Sequence, residues 1–292
     1  MFNELKNKKP TIHFILPGGG VRGAFQAGFL YTLFTKYKDF FEISRIDGTS
    51  VGSINGIAVM AGEYDILKKM WFNINCLNDL FNNWYDYNLM GRWISYYKGF
   101  FRNGLYSNNK LRRMLTNHIE NSWKNIDNDF KNKYSCAVVN VNNATSEYIN
   151  GENPKIFEYI TASASPWIVS NPIIINNEIY TDGGLLETYP IKNIDKCNAD
   201  LTIIVGYDQE HIHFKKANNS NLLEYLATLI DIARYNSDNI QKMRLLIDND
   251  KIIKLVNPMN ISFIEFNKEN IQYGFIQGSE FADSFYSTYL NN

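Results

Sequence analysis

The chain reads as an α/β protein built on a mostly parallel sheet, on three observations. Thr11, Ile12, His13, Phe14, Ile15 and Leu16 form a nearly continuous apolar run closed by Pro17 and glycines, the pattern of a strand buried on both faces. Residues 21–38 follow with Phe25, Phe29, Leu33, Phe34 and Tyr37 at helical spacing. A second short strand, 41–46, then passes through a glycine-flanked turn into a small-residue helix over 53–60. Strand, helix, strand and helix in that order require crossover connections, and hence parallel pairing.

The later elements extend the same reading. Residues 64–72 predict a helix, and 73–106, crowded with Trp, Tyr and Phe and broken by Asn and Gly, form an inserted segment. A helix over 110–119, with Ser107 or Asn108 as N-cap, leads into a polar connector over 120–133. Strands follow at 134–141, 173–175 and 201–205, rich in β-branched residues, and then a long amphipathic helix over 222–247. Strand-like segments at 251–256 and 261–266 precede a last helix near 279–290. The expected organisation is one domain over 1–292, with a core at about 11–206, an aromatic cap inserted at about 73–106 and an extension over 207–292.

Bulk composition narrows the function classes. Lys and Arg total 29 against 30 Asp and Glu, a net charge of -1, so no polycationic surface points to nucleic acid. The three cysteines, Cys76, Cys136 and Cys197, are widely spaced and odd in number, which fits structural thiols in a reducing compartment and neither a disulfide framework nor a zinc site. The apolar run at 12–16 is too short for a signal peptide, and no run approaches the ~18 residues of a membrane span. A cytoplasmic or peripherally membrane-associated protein is the expectation.

Two glycine-centred sites carry the chemistry. Gly48-Thr49-Ser50-Val51-Gly52 is a G-x-S-x-G pentapeptide where a strand becomes a helix, an elbow that lifts the Ser50 hydroxyl out of the backbone while Gly48 and Gly52 let strand and helix approach. The helix N-terminus beneath it offers N–H groups to an oxyanion. Directly after the first strand lies a loop of Gly18, Gly19, Gly20, Val21, Arg22 and Gly23, whose amides converge on an anion. That anion is either an oxyanion or, since Gly18, Gly20 and Gly23 satisfy G-x-G-x-x-G with Glu42 or Asp47 downstream, the pyrophosphate of a dinucleotide. The oxyanion is favoured, because the elbow follows the very next strand and would otherwise have no role.

A serine nucleophile needs a base, and histidine is poorly supplied. His13 lies inside the first strand, His118 ends a helix, and His211 and His213 sit in a polar segment. Asp182, in Tyr180-Thr181-Asp182-Gly183-Gly184, is the better base: a carboxylate at a glycine-freed strand end can take the hydroxyl proton directly, giving a Ser-Asp dyad. The small residues over 162–166 upstream permit close packing around it.

Glycine loop, elbow, the Ala162-Ser163-Ala164-Ser165-Pro166 stretch and Asp-Gly-Gly, in this order, make the chain resemble the patatin-like phospholipases. The likeness runs from Phe14 to at least Pro190, and Gln277-Gly278-Ser279-Glu280 resembles the family's terminal segment. It implies a three-layer α/β/α fold with a mostly parallel central sheet. It also implies Ser50 as acyl-accepting nucleophile, Asp182 as base, Gly183 and Gly184 as the glycines beside it, and Gly18 to Gly23 as oxyanion loop, with no metal or other cofactor. The implied activity is hydrolysis of fatty-acyl esters of phospholipids or related lipids at a membrane surface. Dinucleotide binding through Gly18, Gly20 and Gly23 is the alternative, and an inactive lipid-binding relative is a third. Family members often carry Asn two residues before the proline that follows D-G-G; here Thr188 stands before Pro190. In the insertion Trp84, Tyr85, Trp93, Phe100 and Phe101, with Arg92, Lys98 and Arg102, suggest either a cap formed by part of 84–101 that touches membrane and gates the site, or ordinary buried core aromatics.

Overall fold

The computed structural model describes residues 8–83, 106–166, 170–207 and 251–291. The cap residues 84–105, His211, His213 and the helix expected over 222–247 lie outside the described residues. The strands of the main sheet are β1 (Thr11–Leu16), β2 (Glu42–Thr49), β3 (Tyr134–Asn140), β4 (Thr145–Asn150), β5 (Ile173–Ile175), β6 (Glu178–Asp182), β7 (Leu201–Tyr207) and β8 (Ile252–Val256). The principal helices are α1 (Gly23–Lys36), α2 (Val51–Met60), α3 (Tyr64–Phe72), α4 (Asn109–His118), α5 (Ile156–Ser163) and α6 (Lys268–Phe285).

The sheet order is β8-β7-β1-β2-β3-β6-β5, with β4 also on β3. The run from β8 to β3 is parallel; β4, β6 and β5 add antiparallel pairs. This is the mixed α/β architecture with a mostly parallel central sheet that the sequence predicts.

One pairing detail positions everything that follows. A strand has two edges, and β4 lines one edge of β3 from Ser135 to Asn140. The other edge is divided: β2 pairs along Tyr134 to Ala137 and ends at Thr49, opposite Ala137, while β6 arrives antiparallel and ends at Asp182, opposite Val138. The C-terminal ends of β2 and β6 therefore meet head-on at adjacent positions of one strand.

The structure redraws several boundaries. β2 extends to Thr49, so the strand runs straight into Ser50. A 3-10 turn (Gly20–Arg22) opens the first helix, and the connector over 120–133 contains the short helices Glu120–Lys124 and Asn128–Lys131, the second capped by Asp127 accepting from Phe130 N–H. Residues 261–266, expected as a strand, are irregular, because they cross over the glycine loop and pair with it instead of with the sheet. The last helix starts earlier, at Lys268, where the Asn267 side chain accepts from Asn270 N–H. Of the described residues after 206, β8 extends the parallel sheet and α6 lies along α1.

The α1–α6 contact is close. A Cβ added at Gly28 would lie 1.9 Å from Phe275 O, and one at Gly278 would lie 2.0 Å from Phe25 O. Around these glycines Phe25 meets Phe281 and Phe29 meets Phe285 edge-on, with centroids 5.3 and 5.8 Å apart. Phe285, 2% exposed, sits in the main core cluster with Phe29 and Leu33. Phe285→Ala should cost about 3–5 kcal/mol and lower the melting temperature by several degrees; an unchanged melting temperature would mean that α6 does not help to hold the core.

Candidate active site

Ser50 sits between β2 and α2 with φ 54° and ψ -125°, a left-handed conformation unusual for a residue with a side chain. Such a residue costs about 1–3 kcal/mol and persists only where its surroundings fix it. They do so here. Ser50 N–H donates to Ser163 Oγ (2.9 Å), and Ser50 O accepts from both Ser53 N–H (3.0 Å) and Ser53 Oγ (2.5 Å). Gly48 and Gly52 are required by approach: a Cβ on Gly48 would lie 2.6 Å from Ser53 N, and one on Gly52 would lie 2.1 Å from Leu16 O.

Asp182 reaches the serine from the facing strand end. Its Oδ2 accepts from Ser50 Oγ at 2.7 Å, while Oδ1 accepts from Gly184 N–H at 2.6 Å. Ser50 and Asp182 are 9% and 7% exposed, so the contact is partly shielded from bulk water. A Cβ on Gly183 would stand 2.2 Å from Ala137 O. Ser163 Oγ donates to that same Ala137 O (2.6 Å) while accepting from Ser50 N–H, so the small-residue stretch ties elbow to β3. Ser165 O accepts from Asp182 N–H (3.2 Å) and Thr181 Oγ1 (3.1 Å), and Asn108 Nδ2 donates to Ser165 Oγ (3.0 Å). Asn108 precedes α4, as the sequence predicts, yet its side chain braces this stretch and makes no cap bond.

The glycine loop lies against the elbow, with Gly18 close to Ser50 Cβ. Much of its backbone is already paired. Gly18 N–H donates to Thr188 O, Val21 N–H to Phe263 O, Arg22 N–H to Gly19 O and Gly23 N–H back into the 3-10 turn. The amides of Gly19 and Gly20 have no acceptor among the described residues. Gly20 has φ 56°, and a Cβ there would lie 2.1 Å from Phe263 O. Arg22 is buried, and its Nε donates to Ile261 O at 2.9 Å, so it fastens the 261–266 segment over the loop. Beneath, a buried chain runs from Trp71 Nε1 to Asn55 Oδ1, from Asn55 Nδ2 to Gly23 O and Gln26 Oε1, and from Gln26 Nε2 to Pro17 O. Thr188, in place of the family's Asn, contributes its carbonyl to Gly18 and its Oγ1 to Gly184 O (3.2 Å).

Ser50 and Gly20 open into a pocket enclosing about 640 Å³ of space, part of it open to solvent. Its walls are apolar: Val51 and Ile54 from α2, Met70 and Trp71 from α3, Ile74, Leu77, Leu80 and Phe81, Leu111 and Met114 from α4, and Phe263, Ile264 and Phe266 from the C-terminal segment. Sequence reasoning missed these last three, whose only signal was an apolar alternation that reads equally as a strand. Trp71 of α3 and Phe81 of the aromatic segment are each 4% exposed.

Neither described histidine reaches Ser50. His118 ends α4 on the surface, and His13 is fully buried with Nε2 2.8 Å from Asp47 Oδ2. Asp47, one candidate for a ribose-binding acid, also accepts from Arg45, Ser135 and Asn193, and Glu42 stands at the far end of β2 from the loop. Neither acid is placed to meet a nucleotide on the glycine loop, and Phe263 covers that loop.

Gly20→Ala adds a steric clash to a positive φ, whereas Gly62 shares the conformation (φ 74°) with nothing within 4 Å of its added Cβ. Gly62→Ala should cost about 1 kcal/mol from backbone strain alone, and Gly20→Ala clearly more, about 2–4 kcal/mol. Equal shifts in denaturant midpoint for the two variants would refute the close approach of Phe263.

The chain is 27% identical over 260 residues to an uncharacterized protein, R571, of Acanthamoeba polyphaga mimivirus, covering 85% of this chain and 75% of the relative. Among solved structures it aligns with VipD from Legionella pneumophila over 95% of this chain and 67% of that one, with 12% identity and a TM-score of 0.42. The sequence profile of the patatin-like phospholipases matches residues 14–194, more than half of the chain, and spans loop, elbow and Asp-Gly-Gly: the chain belongs to the patatin-like phospholipase family of lipid acyl hydrolases.

Proposed function

We propose that the protein cleaves fatty-acyl ester bonds of phospholipids or related lipids, with Ser50 as nucleophile and Asp182 as its base. The observation that carries this reading is the 2.7 Å contact between Ser50 Oγ and Asp182 Oδ2 at the mouth of an apolar pocket. An acyl chain occupies the pocket between α2, α3 and α4, which sets the ester carbonyl beside Ser50. Asp182 takes the hydroxyl proton as Oγ bonds to the carbonyl carbon; its second oxygen stays fixed on Gly184 N–H, so the carboxylate is oriented without an imidazole. The carbonyl oxygen becomes an oxyanion facing the loop, where Gly19 and Gly20 N–H supply donors; one such donor is typically worth about 10²- to 10³-fold in turnover. As the intermediate collapses, the proton passes to the departing alcohol. Water, deprotonated by Asp182, then releases the fatty acid from Ser50.

Phospholipid is favoured over neutral ester by the surface next to the pocket. An open groove of about 880 Å³ runs between α3 and α4, lined by Lys69, Lys110, Arg113 and His118 with a single acid, Asp79. It shares Met70, Ile74 and Met114 with the acyl pocket, so a basic surface and an apolar cavity back onto one wall. That pairing suits a substrate with an anionic head and an apolar tail, presented at a membrane surface. No helix of the described residues is long and apolar enough to cross a membrane, and groups of His, Cys, Asp or Glu able to hold a metal ion are absent among the described residues.

Ser50→Ala should abolish covalent labelling by a fluorophosphonate and lower kcat on a phospholipid by at least about 10³-fold, and Asp182→Asn should act through kcat to a similar degree. Labelling that persists on another serine, with Ser50→Ala still active, overturns the assignment. A double charge reversal, Lys69→Glu with Arg113→Glu, should weaken binding to phosphatidylserine-containing vesicles by roughly tenfold or more, at about 1 kcal/mol per charge, and leave hydrolysis of a short soluble ester intact. Equal loss on both substrates would make the groove structural.

A further inference from the structure

Three side chains divide the apolar pocket beside Ser50 from the basic groove on the surface. Met70 and Ile74, one turn apart on α3, and Met114 on α4 line both cavities, so the partition is a single layer of side chains. Their neighbours sort to one side or the other: Trp71 and Leu111 line the pocket alone, while Lys69, Lys110 and Arg113 line the groove alone. Residues three or four apart share a helix face and adjacent ones diverge. Met70, Ile74 and Met114 therefore occupy the seam where the pocket-facing side of each helix meets its groove-facing side.

Along α4 the seam stands away from the serine. The helix begins beside the catalytic stretch, where Asn108 Nδ2 donates to Ser165 Oγ (3.0 Å) and Ser165 O accepts from Asp182 N–H (3.2 Å). Leu111 lies one turn further on and Met114 another. At about 1.5 Å per residue, Met114 stands roughly 9 Å down the axis from Asn108. A chain that starts at Ser50 and follows α4 passes Leu111 and meets the seam with its methyl end. Two effects then oppose a longer chain. The partition is packed: Met70 and Ile74 are each 7% exposed within the main core cluster, and Met114 packs against it, so further methylenes can enter only by displacing core side chains. Beyond it stand Lys69, Lys110 and Arg113, and a methyl end among them would strip water from charges and offer nothing in exchange.

We propose that Met70, Ile74 and Met114 determine acyl-chain specificity: they close the pocket, and the longest chain accepted is the one whose methyl end reaches them. The inference rests on the reading of this pocket as the acyl site of an ester hydrolase. Ile74, β-branched and stiff at χ1, fixes the middle of the partition, and the two unbranched methionines fill the space on either side of it. Since one methylene more or less in a hydrophobic pocket is worth about 10- to 200-fold in discrimination, a change of one side chain in the partition is enough to move the preferred length.

The test measures kcat/KM of the full chain on p-nitrophenyl esters from butyrate to stearate in mixed micelles, with each profile normalised to its own best ester. Met114→Ala opens the partition and should move the optimum to a longer chain, raising the long ester relative to the parent's best by about tenfold or more. Ile74→Phe thickens it and should move the optimum to a shorter chain. A general loosening of the fold cannot give shifts of opposite sign. Where the opening leads is read from the chain end: in Met114→Ala a long acyl chain that ends in a carboxylate should gain on its methyl-ended counterpart, because it reaches Lys110 and Arg113. An active parent whose variants keep its profile, variants that shift in the same direction, or no gain from the carboxylate end each overturn the inference and leave the hydrolase reading standing. A parent that cleaves no ester of the series overturns both. If one variant does not fold, the direction of the other's shift decides.

Discussion

Two strands that share one edge of β3 set the geometry on which the rest of the site depends. β2 and β6 approach from opposite ends and stop at Ala137 and Val138, so the residues leaving each strand are forced into contact. Ser50 follows one and Asp182 closes the other, at 2.7 Å. No flexible arm intervenes, because both groups are held by hydrogen bonds of the same sheet. On the proposed reading of Ser50 and Asp182 such placement matters more than in a triad, because the carboxylate side chain has little reach and a misplacement of about 1 Å can cost about 10²-fold in rate.

The left-handed backbone at Ser50 is the strained part of this arrangement, and its support is local. Ser53 and Ser163 hold the elbow from within and from the side, while the buried Asn55–Gln26 chain keeps the glycine loop and α2 in fixed relation. Those groups are polar in a region that is otherwise apolar, and every link in the chain has a partner, the condition under which a buried network stiffens a fold.

Much of the site was legible in the sequence because its signals are short. G-x-S-x-G, the glycine loop and Asp-Gly-Gly each describe a turn with strict steric demands, and turns are written in a few adjacent residues. The parallel sheet was legible for a similar reason, through unbroken apolar runs such as 11–16. What escaped depends on contacts between distant parts of the chain. Nothing near 178–182 says that β6 ends against β2, and β4 was hidden because Thr145–Asn150 is only half-buried and polar. Residues 261–266 alternate like a strand, but their partners are Val21 and Arg22, some 240 positions earlier.

The crossing of 261–266 over the glycine loop bears on how the protein comes into being. Ser50 and Asp182 are both synthesised well before Phe263, and the region that the family profile covers ends at 194. Yet Phe263 O takes the Val21 amide, and Phe263, Ile264 and Phe266 complete the pocket wall. A ribosome-bound chain therefore holds Ser50 and Asp182 for some time without a finished cavity beside them. Chain growth completes the pocket wall last, when residues 263–266 and then α6 have emerged.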